Sequence, residues 1–359
     1  MANVLDLRRR IRSVKSTRQI TRAMKMVSAA KLRRAQDRAL AARPYAERIA
    51  SVLASLKRRI EVLDPETGNL RHPLFAVRPE KRILLIVVSG DKGFAGAFNT
   101  NILKASAHFL TLCEGLEVDI EPIGRKAREQ MRRRYPLAAH EEIQTENPAD
   151  GEPLTRHVRH RKSRVEVVGD HPGLLEKLTH AATRELAAEI IRRYTHEEID
   201  ACYLVYNEFK SVIQQRVVTE RLLPLIEPGK SVIVGAMEPT EEERQHAATV
   251  AASAGISPFA EDVHDDEAAQ FGTADVDYLY EQPAAELLDG LLPSYVAAML
   301  FHAMAESVAA EHAARMTAMD AATNNASDMI DSLTLYMNRV RQAAITKEII
   351  EIVSGAAAL

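Results

Sequence analysis

Few residues in this chain are typed and spaced for chemistry, and each grouping that could do it has a plainer reading beside it. Gly229-Lys230-Ser231 has the ending of a phosphate-binding loop. The full motif needs a glycine where Pro224 stands, and a helix start where Val232-Ile233-Val234 reads as strand. Gly90, Gly93 and Gly96 follow an aliphatic run and precede a helical stretch, the place where a dinucleotide fold carries GxGxxG. The spacing differs, and no acidic residue follows at a convincing strand end, so tight turns account for it. The His and acid clusters at 157–160 and 264–267 fall in expected loops and lack a helical ligand spacing such as HExxH. Cys113 and Cys202 are far apart with no CxxC, which fits a reducing compartment and neither a disulfide framework nor a zinc site. No paired acid, base or nucleophile emerges, and catalytic, cofactor and metal sites are not expected.

What the sequence specifies well is architecture. Residues 1–43 contain neither Gly nor Pro. Leu7, Ile11 and Val14, then Ile20, Met24 and Val27, recur at spacings of four and three, the period of a helix with one buried stripe. The Arg-rich, acid-poor start resembles a transit peptide, but the helical pattern continues through it and reads as mature structure. Pro44 is expected to kink this helix or begin a new one. The rhythm resumes at Ile49, Leu53, Leu56 and Ile60 and stops at the turn residues Asp64-Pro65-Glu66-Thr67-Gly68.

The middle is built differently. Ile83–Val88 and Val118–Ile123 read as buried strands, followed by helices over Asn101–Leu112 and Arg125–Tyr135. Leu174–Tyr194 reads as helix, and Ala201–Tyr206 and Gln215–Leu223 as strands. Strands alternating with helices imply a layered α/β domain with a partly parallel sheet. The longest aliphatic run, Ile83–Val88, is far short of the ~20 apolar residues of a membrane span. Two stretches read as insertions: polar residues 137–173, and 238–281, where twelve acids face the single base Arg244 and a solvated loop is expected.

After Pro293 there is no further Pro, and the only Gly is Gly355. Met316, Met319, Thr323, Ala326, Ile330, Leu333, Met337, Val340 and Ala344 keep strict three-four spacing, which predicts a left-handed coiled coil. Ser294–Leu359 as one helix would reach ~100 Å, wider than a compact domain of this size, so it must protrude. The N-terminal helix is the available partner for its stripe. The expected organisation is therefore an antiparallel pair formed by residues 1–62 and 291–359, with a Rossmann-like α/β domain over 63–290 carrying insertions at 137–173 and 238–277.

Ile20-Thr21-Arg22-Ala23-Met24-Lys25-Met26-Val27 and Ala30-Lys31-Leu32-Arg33 resemble the N-terminal motif of the gamma subunit of F-type ATP synthases. Arg339-Val340-Arg341-Gln342-Ala343-Ala344-Ile345-Thr346-Lys347-Glu348 and the ending Glu351 to Leu359 resemble that family's C-terminal signature. Arg43-Pro44-Tyr45-Ala46 and Asp277-Tyr278-Leu279-Tyr280-Glu281 match it too. The likeness is close at both ends and looser between them. It implies a non-catalytic rotor: a shaft threading a ring of alpha and beta subunits, with the α/β knob on a ring of membrane c subunits beside the epsilon subunit. The implied location is peripheral, on the cytoplasmic side of a bacterial inner membrane.

Carried over residue by residue, the resemblance implies beta-subunit contacts at Met24, Lys25, Arg341, Gln342, Thr346 and Glu348. Tyr278 and Glu281 would face the c ring and epsilon. An Arg fork suits Arg341 for gripping and releasing a carboxylate. Without the resemblance Arg341, Gln342, Thr346 and Glu348 are solvated helix surface, Met24 is core filler, and Tyr278 is one buried ring. The first 43 residues carry thirteen Lys or Arg against two acids, which the family reading makes a positive collar. The rival reading, a basic coiled-coil nucleic-acid binder or scaffold, lacks interleaved aromatics before Tyr45 and any helix-turn-helix or zinc pattern.

Overall fold

The computed structural model describes residues 4–59, 72–146, 153–226, 232–256, 281–282 and 284–357. Two helices dominate. Helix α1 (Val4–Arg59) has 56 residues and a length of ~84 Å, and the last helix, α6 (Ala284–Ala357), has 74 residues and a length of ~111 Å. Each carries a proline inside it, Pro44 and Pro293. The helix expected to begin after Pro293 thus starts at Ala284, and the chain neither stops nor restarts at Pro44. Burial of Leu288, Leu292, Tyr295 and Val296 on one side and of Ile49, Leu53 and Leu56 on the other supplies the packing that carries both helices past their prolines.

Between them lies the α/β domain: a short 3-10 turn Pro73–Phe75, β1 (Arg82–Val88), α2 (Phe98–Leu112), β2 (Glu117–Ile123), α3 (Arg125–Arg134), β3 (Ala139–Glu146), β4 (Pro153–His160), β5 (Val165–Val167), α4 (His180–Thr195), β6 (Ala201–Phe209), β7 (Gln215–Leu223), β8 (Val232–Met237) and α5 (Glu241–Ser253). Six strands make one sheet in the order β5-β2-β1-β6-β7-β8. The four on the β5 side run parallel, and β7 and β8 are antiparallel. The central strands are apolar on both faces because both faces are covered. Leu84, Ile86 and Val88 join α4 and the first turns of α6. Ile83, Leu85 and Val87 join α2, α5, Leu32 of α1 and Met316 of α6.

Both segments read from the sequence as loop contain regular structure. Within 137–173, β3 and β4 pair as an antiparallel hairpin and β5 extends the main sheet. Within 238–277, α5 is a thirteen-residue helix opened by a Thr240/Glu243 capping box; the acids at its start suit the positive end of the helix dipole. The phosphate-loop look-alike at 229–231 and the acidic stretch from 261 onward lie outside the described residues. One window of α6 is apolar and long enough to cross a membrane, but half of it is buried inside the protein.

Candidate partner-binding surface

The register of the helix pair follows from its cross-links. Thr323 donates to Thr21 (2.8 Å), and Lys25 pairs with Asp320 (2.6 Å). On α6 the predicted stripe is the observed one as far as Val340: Met316, Met319, Ala326 and Ile330 are buried, and Thr323, Leu333, Met337 and Val340 half-buried, whereas Ala344, expected to continue it, is exposed because it lies past the start of α1. On α1 the seam is Leu7, Ile11, Val14, Arg18, Thr21, Lys25, Ser28, Leu32, Ala35 and Ala39, each more shielded than its outward neighbours. That is a continuous three-four repeat, but it is polar from Arg18 to Ser28. Ile20 and Val27, expected in the seam, are 57% and 55% exposed. The apolar residues of that segment point outward because their spacing is one position out of phase with the heptad running through both ends.

The same register brings Val4 level with the neighbourhood of Val340. Beyond that point every residue from Arg341 to Ser354 is exposed. The last seventeen residues of α6 are therefore a single helix, ~25 Å long, that α1 does not reach. Ile345, Ile349, Ile350, Ile352 and Val353 are all about half exposed or more on it. A lone helix of this length is marginal in water, and five large aliphatics on its surface demand a cover from elsewhere.

The expected contact residues divide accordingly. Arg341, Gln342, Thr346 and Glu348 lie exposed on the single-helix tip, and Thr346 Oγ1 donates back to the Gln342 carbonyl (2.9 Å). Met24 is half-buried ~30 Å down the rod from Arg341, in line with outward-facing Ile20 and Val27. Lys25, also expected at a beta contact, is bonded within the chain. Its ammonium turns inward, bonded to Asp320 and to Ser253 of α5 (2.8 Å), because the polar seam offers it a carboxylate at that level. Glu281 is exposed, and Tyr278 lies outside the described residues. Arg33, also on α1, donates to the carbonyls of Ala254 (3.2 Å) and Gly255 (2.8 Å), capping the negative end of α5 with a cation. The sequence signal for this pairing, a cation at the C-terminus of a helix, was hidden because α5 itself read as loop.

The remaining titratable groups of note are structural. Cys113 and Cys202 are free and buried, and burial raises the pKa of the Cys113 thiol to about 11 and that of Cys202 further; neither has the depressed pKa of a reactive thiol. In the sheet, Asp119 on β2 is gripped by Arg161 and by Arg193 of α4 (2.5 Å), and Glu121 by His171 (2.8 Å). Among the described residues no group of three or more His, Cys, Asp or Glu side chains is arranged to hold a metal ion. The arrangement as a whole is one for contact along a rod, with exposed aliphatics on α1 and at the tip of α6.

The profile of the ATP synthase family matches residues 3–359. An ATP synthase gamma chain from Solibacter usitatus is 44% identical over 358 residues, covering 100% of this chain and 99% of its own. That of Pelotomaculum thermopropionicum is 39% identical over 360 residues, covering 100% of both. Among solved structures, a chain from the mitochondrial ATP synthase of Euglena gracilis superposes with a TM-score of 0.53 at 18% identity, covering 99% of this chain and 94% of its own. The structural likeness supports the fold.

Proposed function

The chain belongs to the ATP synthase family, as a gamma chain, and from that premise we infer how it works. It is the central-stalk rotor, coupling rotation of the c ring to conformational cycling of the catalytic beta subunits. The observation that carries this reading is the rod itself: two antiparallel helices, one of them running on unpaired past Val340 with its aliphatic face open. Such a tip is useful only inside a sleeve, and a ring of alternating alpha and beta subunits is that sleeve.

Within this reading Arg341, Gln342, Thr346 and Glu348 touch the beta subunits from the tip. Lower on the shaft Met24 does so together with Ile20 and Val27, which share its face. Lys25 lies at the same level, and its pair with Asp320 helps to hold the helix register beneath that contact. The positive collar of α1 meets acidic loops of the ring through many weak, equivalent contacts, which ease turning. Tyr278 and Glu281 face the c ring and epsilon, so the chain sits peripherally on the cytoplasmic side of the bacterial inner membrane. Bond making and breaking at ATP belongs to the alpha and beta subunits.

Co-expression with alpha and beta tests this. ATPase activity should appear only when this chain is present, and the double variant Arg341→Ala/Gln342→Ala should fold normally yet lower turnover ~5–30-fold, the equivalent of ~1–2 kcal/mol. Full activity of alpha and beta without the chain would refute the rotor role. Full turnover of the double variant would refute only the assignment of those two residues.

A further inference from the structure

In an open α/β sheet the ligand crevice lies at the carboxyl ends of the strands where the strand order reverses. Here the chain moves from β1 outward through β2 to β5 and returns to β6 on the other side of β1, so the crevice lies beyond Val88 and Phe209. It is filled by α6. Up to Ala305 that helix packs on the face of Leu84, Ile86 and Val88. From Ala309 it packs on the face of Ile83, Leu85 and Val87, and Val308 touches both clusters. The rod thus crosses the carboxyl edge of the sheet around residues 306–308.

At the crossing α6 presents two buried carboxylates. Glu306 accepts from the Phe209 amide at the end of β6 (3.4 Å) and pairs with His302 (3.0 Å). Glu311 sits against the loop after β1: a Cβ placed on Gly90 would lie 2.8 Å from its carboxyl carbon. Arg315 pairs with Glu311 and also reaches the Gly93 carbonyl from two of its nitrogens (3.4 Å each). A side chain at position 90 would have to displace that carboxylate, which occupies the space beside the Gly90 backbone. Beyond the crossing, the apolar residues that α6 buries in the cluster with Ile83, Leu85 and Val87 are Ala309, Ala310, Ala313 and Met316. Small side chains resist sliding weakly, since each forms few contacts. On this face, force directed around the rod's circumference is carried best by groups that project from it, as Tyr295, Leu300 and Phe301 do on the other.

We propose that Glu306 and Glu311, braced by Arg315, are positioning residues that key the shaft into the crevice at the carboxyl edge of the sheet and carry torque between the α/β domain and the coiled coil. This rests on the rotor reading. The chain supplies its own anion to the glycine loop, and the crevice serves as a socket.

The test uses the complete enzyme in membrane vesicles, measuring ATP hydrolysis and ATP-driven ion pumping together. Gly90→Ala drives a methyl group into the position of the Glu311 carboxylate. It should lower ions pumped per ATP at least about twofold while hydrolysis persists. Adding Glu311→Asp, which withdraws the carboxylate by one methylene, should restore most of the loss, the non-additivity expected of groups in contact. Glu311→Gln, which keeps the shape and removes the ion pair with Arg315, should lower the ratio as well, and it decides the matter if Gly90→Ala does not assemble. A wild-type ratio in Glu311→Gln, or a double variant no better than Gly90→Ala, overturns the proposal. Absence of coupled pumping in the unaltered complex would instead overturn the rotor reading.

Discussion

Replacing Leu32 by alanine tests the seam directly. Leu32 is fully buried, where α1 meets α5 and α6, and its cluster includes Ala29, Ala35, Ala247, Ala309, Ala310 and Ala313. Alanines cannot swing into a vacancy, so the cavity left by three lost carbons persists. The cost should fall in the upper part of the range for buried leucines, ~3–5 kcal/mol. Ile20→Ala and Val27→Ala remove as much or nearly as much hydrocarbon from side chains more than half exposed, and each should cost under ~0.5 kcal/mol. The chain has no Trp, so unfolding in urea is best followed by far-ultraviolet circular dichroism of the free chain. With a slope of ~2–3 kcal/mol/M, Leu32→Ala should move the midpoint down by ~1–2 M. The reasoning fails if Val27→Ala or Ile20→Ala destabilises the free chain by ~2 kcal/mol, or if Leu32→Ala costs less than ~1 kcal/mol.

Asp320→Ala strips Lys25 of its carboxylate in a site where both side chains are less than one-fifth exposed. It should cost ~1–3 kcal/mol, between the values for surface and buried pairs, and the double variant with Lys25→Ala should cost less than the two singles summed; equilibrium unfolding of the three variants measures this. Gly124 has φ +89°, and a Cβ there would lie 2.0 Å from the Ser89 carbonyl oxygen. Gly124→Ala should therefore destabilise by at least ~2 kcal/mol, visible as loss of soluble chain or a large midpoint shift. His171 is raised above 6.5, chiefly by its hydrogen bond to Glu121. The folded state holds that proton more tightly, so the stabilisation is complete below pH ~6.5 and disappears as pH rises through the folded value. His312 is lowered to about 4 by burial and by Arg315, Lys31 and Lys92 and acts with the opposite sign, losing stability as pH falls below ~6.5. Between pH 6 and 9, His171→Gln should flatten the urea-midpoint profile relative to wild type, and an unchanged profile would contradict this.

Much of the architecture was legible because it is repetitive. The stripe on α6 from Met316 to Val340 was readable residue by residue, and the strands at 83–88, 118–123 and 215–223 announced themselves as aliphatic or alternating runs. The errors have particular causes. Ile20 and Val27 keep helical spacing with Met24, yet the heptad that pairs with α6 runs through Thr21, Lys25 and Ser28. Hydrophobicity identified a stripe but not the one facing the partner, because the seam there is held by Thr21–Thr323 and Lys25–Asp320. Helix α5 was hidden by its acids, which serve its cap and dipole and leave Ala247, Val250 and Ala251 to be buried. Pro293 hid the first ten residues of α6, since the packing of Leu288 and Leu292 that sustains the helix there is tertiary. Glu306 and Glu311 gave no signal at all. A carboxylate becomes a key only when a glycine loop distant in sequence is folded against it.

The end of helix pairing near Val340 separates two kinds of constraint on the chain. Up to that level a substitution in the buried seam is felt first by the protein's own interior, and heat or denaturant will register it. From Arg341 to Ser354 the side chains are exposed, and the contacts there, Thr346 with Gln342 and Lys347 with Glu351, stay within the helix. Melting behaviour should therefore respond most to the seam, while substitutions on the tip leave it little changed.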